Sequence, residues 1–165
     1  MYQLPADCPS DAFAAFAHLK SRTSLTIEDM QVLAMIESYG EAFYMKLAEG
    51  IADTEARRLL ERNAAEERGH AHRLLKAISL KGGASFALPD RGDNPFFVTP
   101  PVAMDLTADL VAALEAGEID GDLTYQAWAD AEPNAEVADL LRLNGREETR
   151  HSERVNAVKQ RLLAA

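Results

Sequence analysis

Eight side chains recur in one pattern along the chain. A glutamate is followed seven residues later by a tyrosine, and thirty residues after that glutamate stands a Glu-x-x-His. Glu37, Tyr44, Glu67 and His70 form the first instance; Glu118, Tyr125, Glu148 and His151 form the second. Residues three, four or seven apart lie on one face of an α-helix, so each set can converge. The segment around the first Glu-x-x-His reads as uninterrupted helix, with Ala56, Leu60, Asn63, Glu67, His70 and Leu74 on one stripe. An amide, a carboxylate and an imidazole therefore occupy the middle of a face whose other members belong in a core.

The two instances belong to an internal repeat. Shifting the chain by 81 residues superposes Leu33 on Leu114, Glu37 on Glu118, Gly40 on Gly121, Tyr44 on Tyr125 and Asn63 on Asn144. It also superposes Glu66-Glu67 on Glu147-Glu148, His70 on His151 and Arg73 on Arg154. Over residues 33–73 the shift gives 13 identities in 41 positions without a gap, where ordinary composition gives about three. Two helical hairpins are thus copies related by a pseudo-two-fold axis, and several shared residues are polar where packing alone would choose leucine.

Brought together, the copies project four carboxylates and two imidazoles into one layer. Four buried carboxylates cannot all stay ionised without compensation, because each desolvated charge costs several kcal/mol. Two divalent cations supply +4 against −4, and the imidazoles bind as neutral donors. Oxygen-rich ligands with two histidines suit iron or manganese rather than the thiolate sites of structural zinc. A Glu from each of two helices plus a Glu-x-x-His from each of the other two is the ligand pattern of ferritin-like di-iron bundles.

At these residues the sequence resembles a family. "ESYGEAFY" with "EERGH" (37–44 and 66–70) and "EIDGDLTY" with "EETRH" (118–125 and 147–151) look like the ferritin-like domain of rubrerythrins, over about residues 25–160. The resemblance implies a carboxylate-bridged centre of two iron ions, with manganese or zinc as substitutes. Such a centre reduces peroxide or dioxygen with electrons from Fe(II) or an external donor. By motif position, Glu67 and Glu148 would bridge the metals, Glu37 and Glu118 would be terminal carboxylates, and His70 and His151 would give one nitrogen each. Rubrerythrins proper carry a four-cysteine rubredoxin module, whereas this chain has the single Cys8, so the expected electron donor is another protein. They also carry a further carboxylate one turn after the terminal ligand of the third helix. Gly121 stands at that position here, with Glu115 and Asp122 nearest. The closer likeness is to minimal rubrerythrin-like proteins that lack both features.

Other residues admit two readings each. Tyr44 and Tyr125 are core aromatics whose hydroxyls find a partner, or contacts to a ligand carboxylate with a catalytic, redox-linked role. Asn63 and Asn144 are satisfied polar groups at the bundle seam, or supports for the site. Gly40 and Gly121 leave room for a small oxidant or permit close helix packing. Glu66 and Glu147, whose neighbours take the inward position, read as exposed or paired with arginine.

The elements that must position these groups are all helical. A short amphipathic helix over residues 10–20 is capped by Ser10 or Asp11. A capping box of Thr26 and Asp29 opens a helix running to about Ala52. Asp53 caps the next, which runs to about Leu80 and stops at Gly82-Gly83. The Gly- and Pro-rich run to Pro101 is a long connection. Helix resumes near Asp105 or Thr107, continues to about Ala131, and after Pro133, read as a first-turn residue, a last helix runs on. The predicted fold is all-α: a ferritin-like four-helix bundle of two repeated hairpins joined by a long crossover, plus the short N-terminal helix. One domain spans 1–165, with an N-terminal arm and short helix at 1–24, hairpins at 25–81 and 105–163, and the crossover at 82–104.

Composition narrows the function classes. Of 165 residues, 47% are hydrophobic and 27% charged, which suits one domain with a full core. A net charge of −10 argues against binding nucleic-acid phosphate, which needs a basic face. No apolar run approaches a membrane span, and the first residues lack a basic stretch followed by an apolar one, so a cytoplasmic location is expected. Apolar residues of the crossover, Phe96 and Phe97 among them, need cover at a bundle end or in a homodimer. Two rival readings stand beside peroxide or dioxygen reduction. One is iron handling, in which the same centre oxidises Fe(II); the other is a non-enzymatic bundle that a metal merely stabilises.

Overall fold

The structure, a computed structural model, describes residues 2–163. Five α-helices follow in order: α1 (Ala12–Leu19), α2 (Ile27–Glu49), α3 (Thr54–Leu80), α4 (Ala108–Ala131) and α5 (Ala135–Leu163), with a one-turn 3-10 helix at Pro95–Val98 before α4. No strand occurs among the described residues. The molecule is a ferritin-like helical bundle.

Local chemistry sets the helix ends. Asp11 accepts from the Ala14 amide at 2.8 Å to cap α1, and Thr26 and Asp29 form the reciprocal capping box of α2. Asp53 caps α3 through the Ala56 amide at 2.7 Å, and Thr107 caps α4. The last helix differs from its sequence reading. Asn134 accepts from the amides of Glu136 and Val137, so Pro133 lies just outside the helix rather than in its first turn. An amide acceptor at that position satisfies donors that proline cannot.

Gly82-Gly83 ends α3 for two separate reasons. Gly82 has φ +75, in the left-handed region that a Cβ penalises. Gly83 sits so close to α3 that a Cβ would meet the Ile78 carbonyl oxygen at 2.9 Å and the Ile78 Cγ2 at 2.7 Å. The crossover then returns to the bundle. Asn94, itself buried, donates to the Met35 carbonyl at 3.0 Å, and Phe96 enters the core while Phe97 packs edge-on against Tyr39.

Within each hairpin α2 packs along α3 and α4 along α5, and the hairpins join chiefly through α3 against α5. Contact between α2 and α4 is sparse. Apolar packing falls into two clusters. One holds Met30, Leu33, Leu74, Ile78, Phe96, Trp128, Val137 and Leu141; the other holds Leu47, Leu60, Val111, Val155 and Val158. The repeated glutamates and histidines lie between them in sequence on every long helix. A polar layer thus divides an otherwise apolar core.

The close approach at Gly83 has a measurable consequence. Gly83→Ala is expected to destabilise the protein by about 1–3 kcal/mol, because the backbone carbonyl opposing the new methyl cannot rotate away. Gly92→Ala, where a Cβ would meet nothing within 4 Å, serves as control and should stay within about 0.5 kcal/mol. Urea unfolding midpoints at constant m-value report both.

Candidate metal centre

Each long helix brings one part of the pattern to the layer. Glu37 on α2 and Glu118 on α4 come from the outer helices of the two hairpins. Glu67 with His70 on α3, and Glu148 with His151 on α5, come from the helices of the seam. Both imidazoles are fully buried, and they stack with ring centroids 5.3 Å apart. His70 Nδ1 has oxygens of Glu37, Glu67 and Glu148 at 3.4 Å each. His151 Nδ1 has Glu148 at 3.2 Å, with Glu67 and Glu118 at 3.5 Å.

Two overlapping groups result. Glu37, Glu67, His70 and Glu148 present ligand atoms within 4.8 Å of one another, and so do Glu67, Glu118, Glu148 and His151. Glu67 and Glu148 belong to both. All four imidazole nitrogens are buried, and none has a hydrogen-bond partner in suitable alignment. Each Nδ1 faces three carboxylates without an aligned bond, and once deprotonated it offers its lone pair to a cation among them. The donor set and these orphaned nitrogens together fit a hard-to-borderline divalent cation.

The rubrerythrin family's sequence model matches residues 34–159. The chain belongs to the rubrerythrin family. No curated protein and no solved structure matches it. Compared with rubrerythrins that carry an extra carboxylate in the third helix, this member puts Gly121 there. Asp122, the nearest substitute, turns away, accepting from Gln126 at 2.7 Å and from Thr149 at 2.6 Å, and Glu115 joins neither group. The repeated glycines instead make space for carboxylates. A Cβ on Gly40 would lie 3.2 Å from Glu67 Cδ, and one on Gly121 would lie 3.5 Å from Glu148 Cγ. Both sequence readings for these glycines find support in the geometry: the neighbouring glutamate packs against each, and each lines open space beside the carboxylates.

Every polar group of the layer is held by the opposite hairpin. The Tyr44 hydroxyl donates to Glu118, and that of Tyr125 to Glu37. Asn63 donates to the His151 carbonyl at 3.3 Å, and Asn144 to the His70 carbonyl at 3.5 Å. Arg154 donates to Asn63 at 2.9 Å and to Glu66 at 2.7 and 2.9 Å. Arg73 mirrors it, donating to Asn144 and Glu147. Glu66 and Glu147 are therefore arginine-paired, but they do something that sequence reasoning missed. Glu147 lies 3.3 Å from His70 Nε2, and Glu66 lies 3.3 Å from His151 Nε2. Each imidazole thus has a carboxylate behind it and the cluster in front, the arrangement that fixes the tautomer of a ligating histidine. The repeat contained the signal, since Asn63, Glu66 and Arg73 all recur at offset 81.

Burial and mutual proximity also set the protons. Burial and the neighbouring Glu67 charge push the Glu37 carboxyl well up. Burial carries Glu118 to about 8 against the opposing influence of the nearby His151. Burial also opposes ionisation of Glu148, yet the His70 charge holds it at about 2, and the proximity of His151 and His70 depresses Glu67 in the same way. Both histidines rise despite their burial, His70 chiefly through the Glu148 charge and His151 through Glu118. In the absence of metal these shifts favour protons on both histidines and on Glu37 and Glu118 over a layer of four bare carboxylates.

Metal and protons therefore compete for the same atoms. Glu118 has an ordinary value of 4.5 and a folded value of about 8, so its contribution to stability is complete below the first and lost as pH rises through the second. Glu37, His70 and His151 are raised too and act in the same direction. The metal-free protein is expected to melt at progressively lower temperature between about pH 5.5 and pH 8, while the increment from added divalent cation grows. Thermal scans with and without chelator measure this; a metal-free melting temperature that climbs over that window would contradict the proton assignment. Glu147→Gln should lower divalent-cation affinity by about 10–100-fold with the helical circular dichroism unchanged, as titration calorimetry would read.

Proposed function

We propose that the bundle holds two iron ions and reduces peroxide or dioxygen with electrons from ferrous iron or an external donor protein. One observation carries the reading: two four-residue groups share Glu67 and Glu148, while the Nδ1 of each buried imidazole faces its group without an aligned hydrogen-bond partner. A single cation would leave one group, with its histidine, uncompensated. Membership of the rubrerythrin family supports iron and the reductive reaction.

In this reading Glu67 and Glu148 would be shared between the metals, Glu37 and His70 would complete one position, and Glu118 and His151 the other. Two ferrous ions, when bound, would supply the two electrons that reduction of peroxide with two protons to water requires. The protein's own groups do the rest. His70 and His151 present Nδ1 to the metals and keep the proton on Nε2, where Glu147 and Glu66 accept it. Tyr44 and Tyr125 hold Glu118 and Glu37 in place; burial, then the adjoining glutamate charge, raises each phenol far above its usual range, so each remains a donor. Two cations of +2 cancel the four carboxylates, and the pairs of Arg73 with Glu147 and Arg154 with Glu66 are neutral in themselves. The whole layer closes electrically.

The experiment is to load metal-free protein anaerobically with Fe(II), confirm two irons per chain, and add hydrogen peroxide. Near-ultraviolet ferric absorbance should develop at a rate that saturates with peroxide. A spectrum that stays flat with both irons bound would end the redox reading and leave a metal-stabilised bundle. His70→Ala combined with His151→Ala should abolish stoichiometric iron binding while the apolar clusters still fold.

A further inference from the structure

Sparse contact between α2 and α4 leaves a cavity of about 440 Å3 beside the carboxylates. Its walls include Phe13 and Phe16 of α1, Tyr39 and Phe43 of α2, and Leu110 and Leu114 of α4. Its floor is Glu37, Glu67, Glu118 and Glu148, and no other charged side chain lines it. The two histidines are absent from this lining. The centre thus has a closed back, formed by the imidazoles at the α3–α5 seam, and an open front formed by carboxylates under an apolar and largely aromatic vestibule.

The size and polarity of this space select its occupant. Hydrogen peroxide is little larger than a water molecule, whose share of liquid volume is about 30 Å3, so it would fill less than a tenth of the cavity. Small-molecule sites span about 300–1,000 Å3. One turn of helix with side chains needs roughly 400–600 Å3 by its diameter and pitch, so even a single turn would fill the space and press its side chains on the carboxylate floor. Apolar walls above a polar floor complement a molecule with an apolar body and one polar end.

We propose that this cavity binds the apolar body of a small organic hydroperoxide, with the O–O end directed to the carboxylate floor. This deepens the reductive function proposed above and rests on it. The hydroperoxide ROOH takes up two electrons from ferrous iron and two protons from solvent. Its O–O bond breaks, ROH and water leave, and two Fe(II) become two Fe(III). The aromatic walls favour an arylalkyl body, since edge-to-face contacts add to area burial.

Cumyl alcohol, the product of cumene hydroperoxide, tests the site without chemistry. Titration calorimetry on the metal-free protein should give saturable one-to-one binding. Ala113 lies on the exposed side of α4 and lines the cavity, and Gly117 lines it with nothing within 4 Å of an added Cβ. Ala113→Phe, or Gly117→Leu should the first variant fold poorly, is expected to weaken alcohol binding about tenfold or more. With iron loaded, the same variants should lower the ratio of the cumene hydroperoxide rate to the hydrogen peroxide rate by a similar factor. Absence of alcohol binding to the wild type, or an unchanged ratio in both variants, overturns the inference. Absence of binding in a chain that sediments as a dimer would assign the vestibule to a second copy instead. If neither peroxide oxidises bound Fe(II), it is the function itself that fails, and the alcohol titration reads the cavity independently of that outcome.

Discussion

Placing four carboxylates between two apolar clusters is the constraint on which the rest of this bundle depends. Each buried ion costs several kcal/mol even after the protein relaxes around it, whereas a whole domain of this size is stable by only about 5–15 kcal/mol. Four uncompensated charges would exceed that margin. The layer is tolerable only with something positive beside the carboxylates: protons shared with His70 and His151, or a cation held by the groups these residues form. Stability and chemistry are thereby tied to the same atoms. A mutation that removes one glutamate changes the charge the site can carry as well as a contact.

The pseudo-two-fold repeat is how the chain keeps that layer unambiguous. Tyr44 serves Glu118 and Tyr125 serves Glu37; Arg154 serves Asn63 and Glu66 while Arg73 serves Asn144 and Glu147. In every case donor and acceptor come from different hairpins. Neither hairpin can satisfy its own polar groups, so a half-assembled bundle leaves buried donors and acceptors unpaired at about 1–3 kcal/mol each. The polar network therefore selects one register of α3 against α5, which an apolar seam of alanine and leucine would leave loose. That Arg73 and Arg154 each hold both the asparagine and the outer glutamate explains why these residues repeat with the ligand pattern itself.

Much of this was legible in the sequence, and for identifiable reasons. Helix starts followed from side chains that cap locally, so Thr26 and Asp53 were readable at their positions, while Asp11 and Thr107 were each one of two neighbouring candidates. Pro133 misled by one helical step because Asn134 offered the better acceptor, a competition that periodicity does not register. Convergence of Glu37, Glu67, His70, Glu118, Glu148 and His151 followed from a repeat whose shared residues were polar on an apolar stripe. Glu66 and Glu147 were underread. Their inward neighbours occupied the obvious role, and only three-dimensional packing shows that the helix crossing at the seam swings each behind the opposite hairpin's imidazole. Of the vestibule the sequence offered only a hint, the room expected at Gly40 and Gly121, and its size and aromatic walls were not legible. A cavity is a property of what two helices fail to fill, and neither the apolar face of α2 nor the alanine- and glycine-rich face of α4 announces the gap between them.

The repeat makes the ligand set symmetric but not its surroundings. α1 and the 3-10 turn of the crossover pack mainly on the middle of α2, at Met35, Tyr39 and Phe43, whereas on α4 they reach chiefly Trp128 and Asp120 and leave Ile119 and Leu123 at 50% and 66% exposure. α3 and α5, which carry the histidines, pack against each other, and the open side of the layer is the α2–α4 gap, where carboxylates and no ring nitrogen line the space. Glu118, whose side chain is the most exposed of the six at 12%, faces that space and accepts from Tyr44. A repeated ligand set thus sits in unequal surroundings: the imidazoles close it at the seam, and the carboxylates face the space between the outer helices.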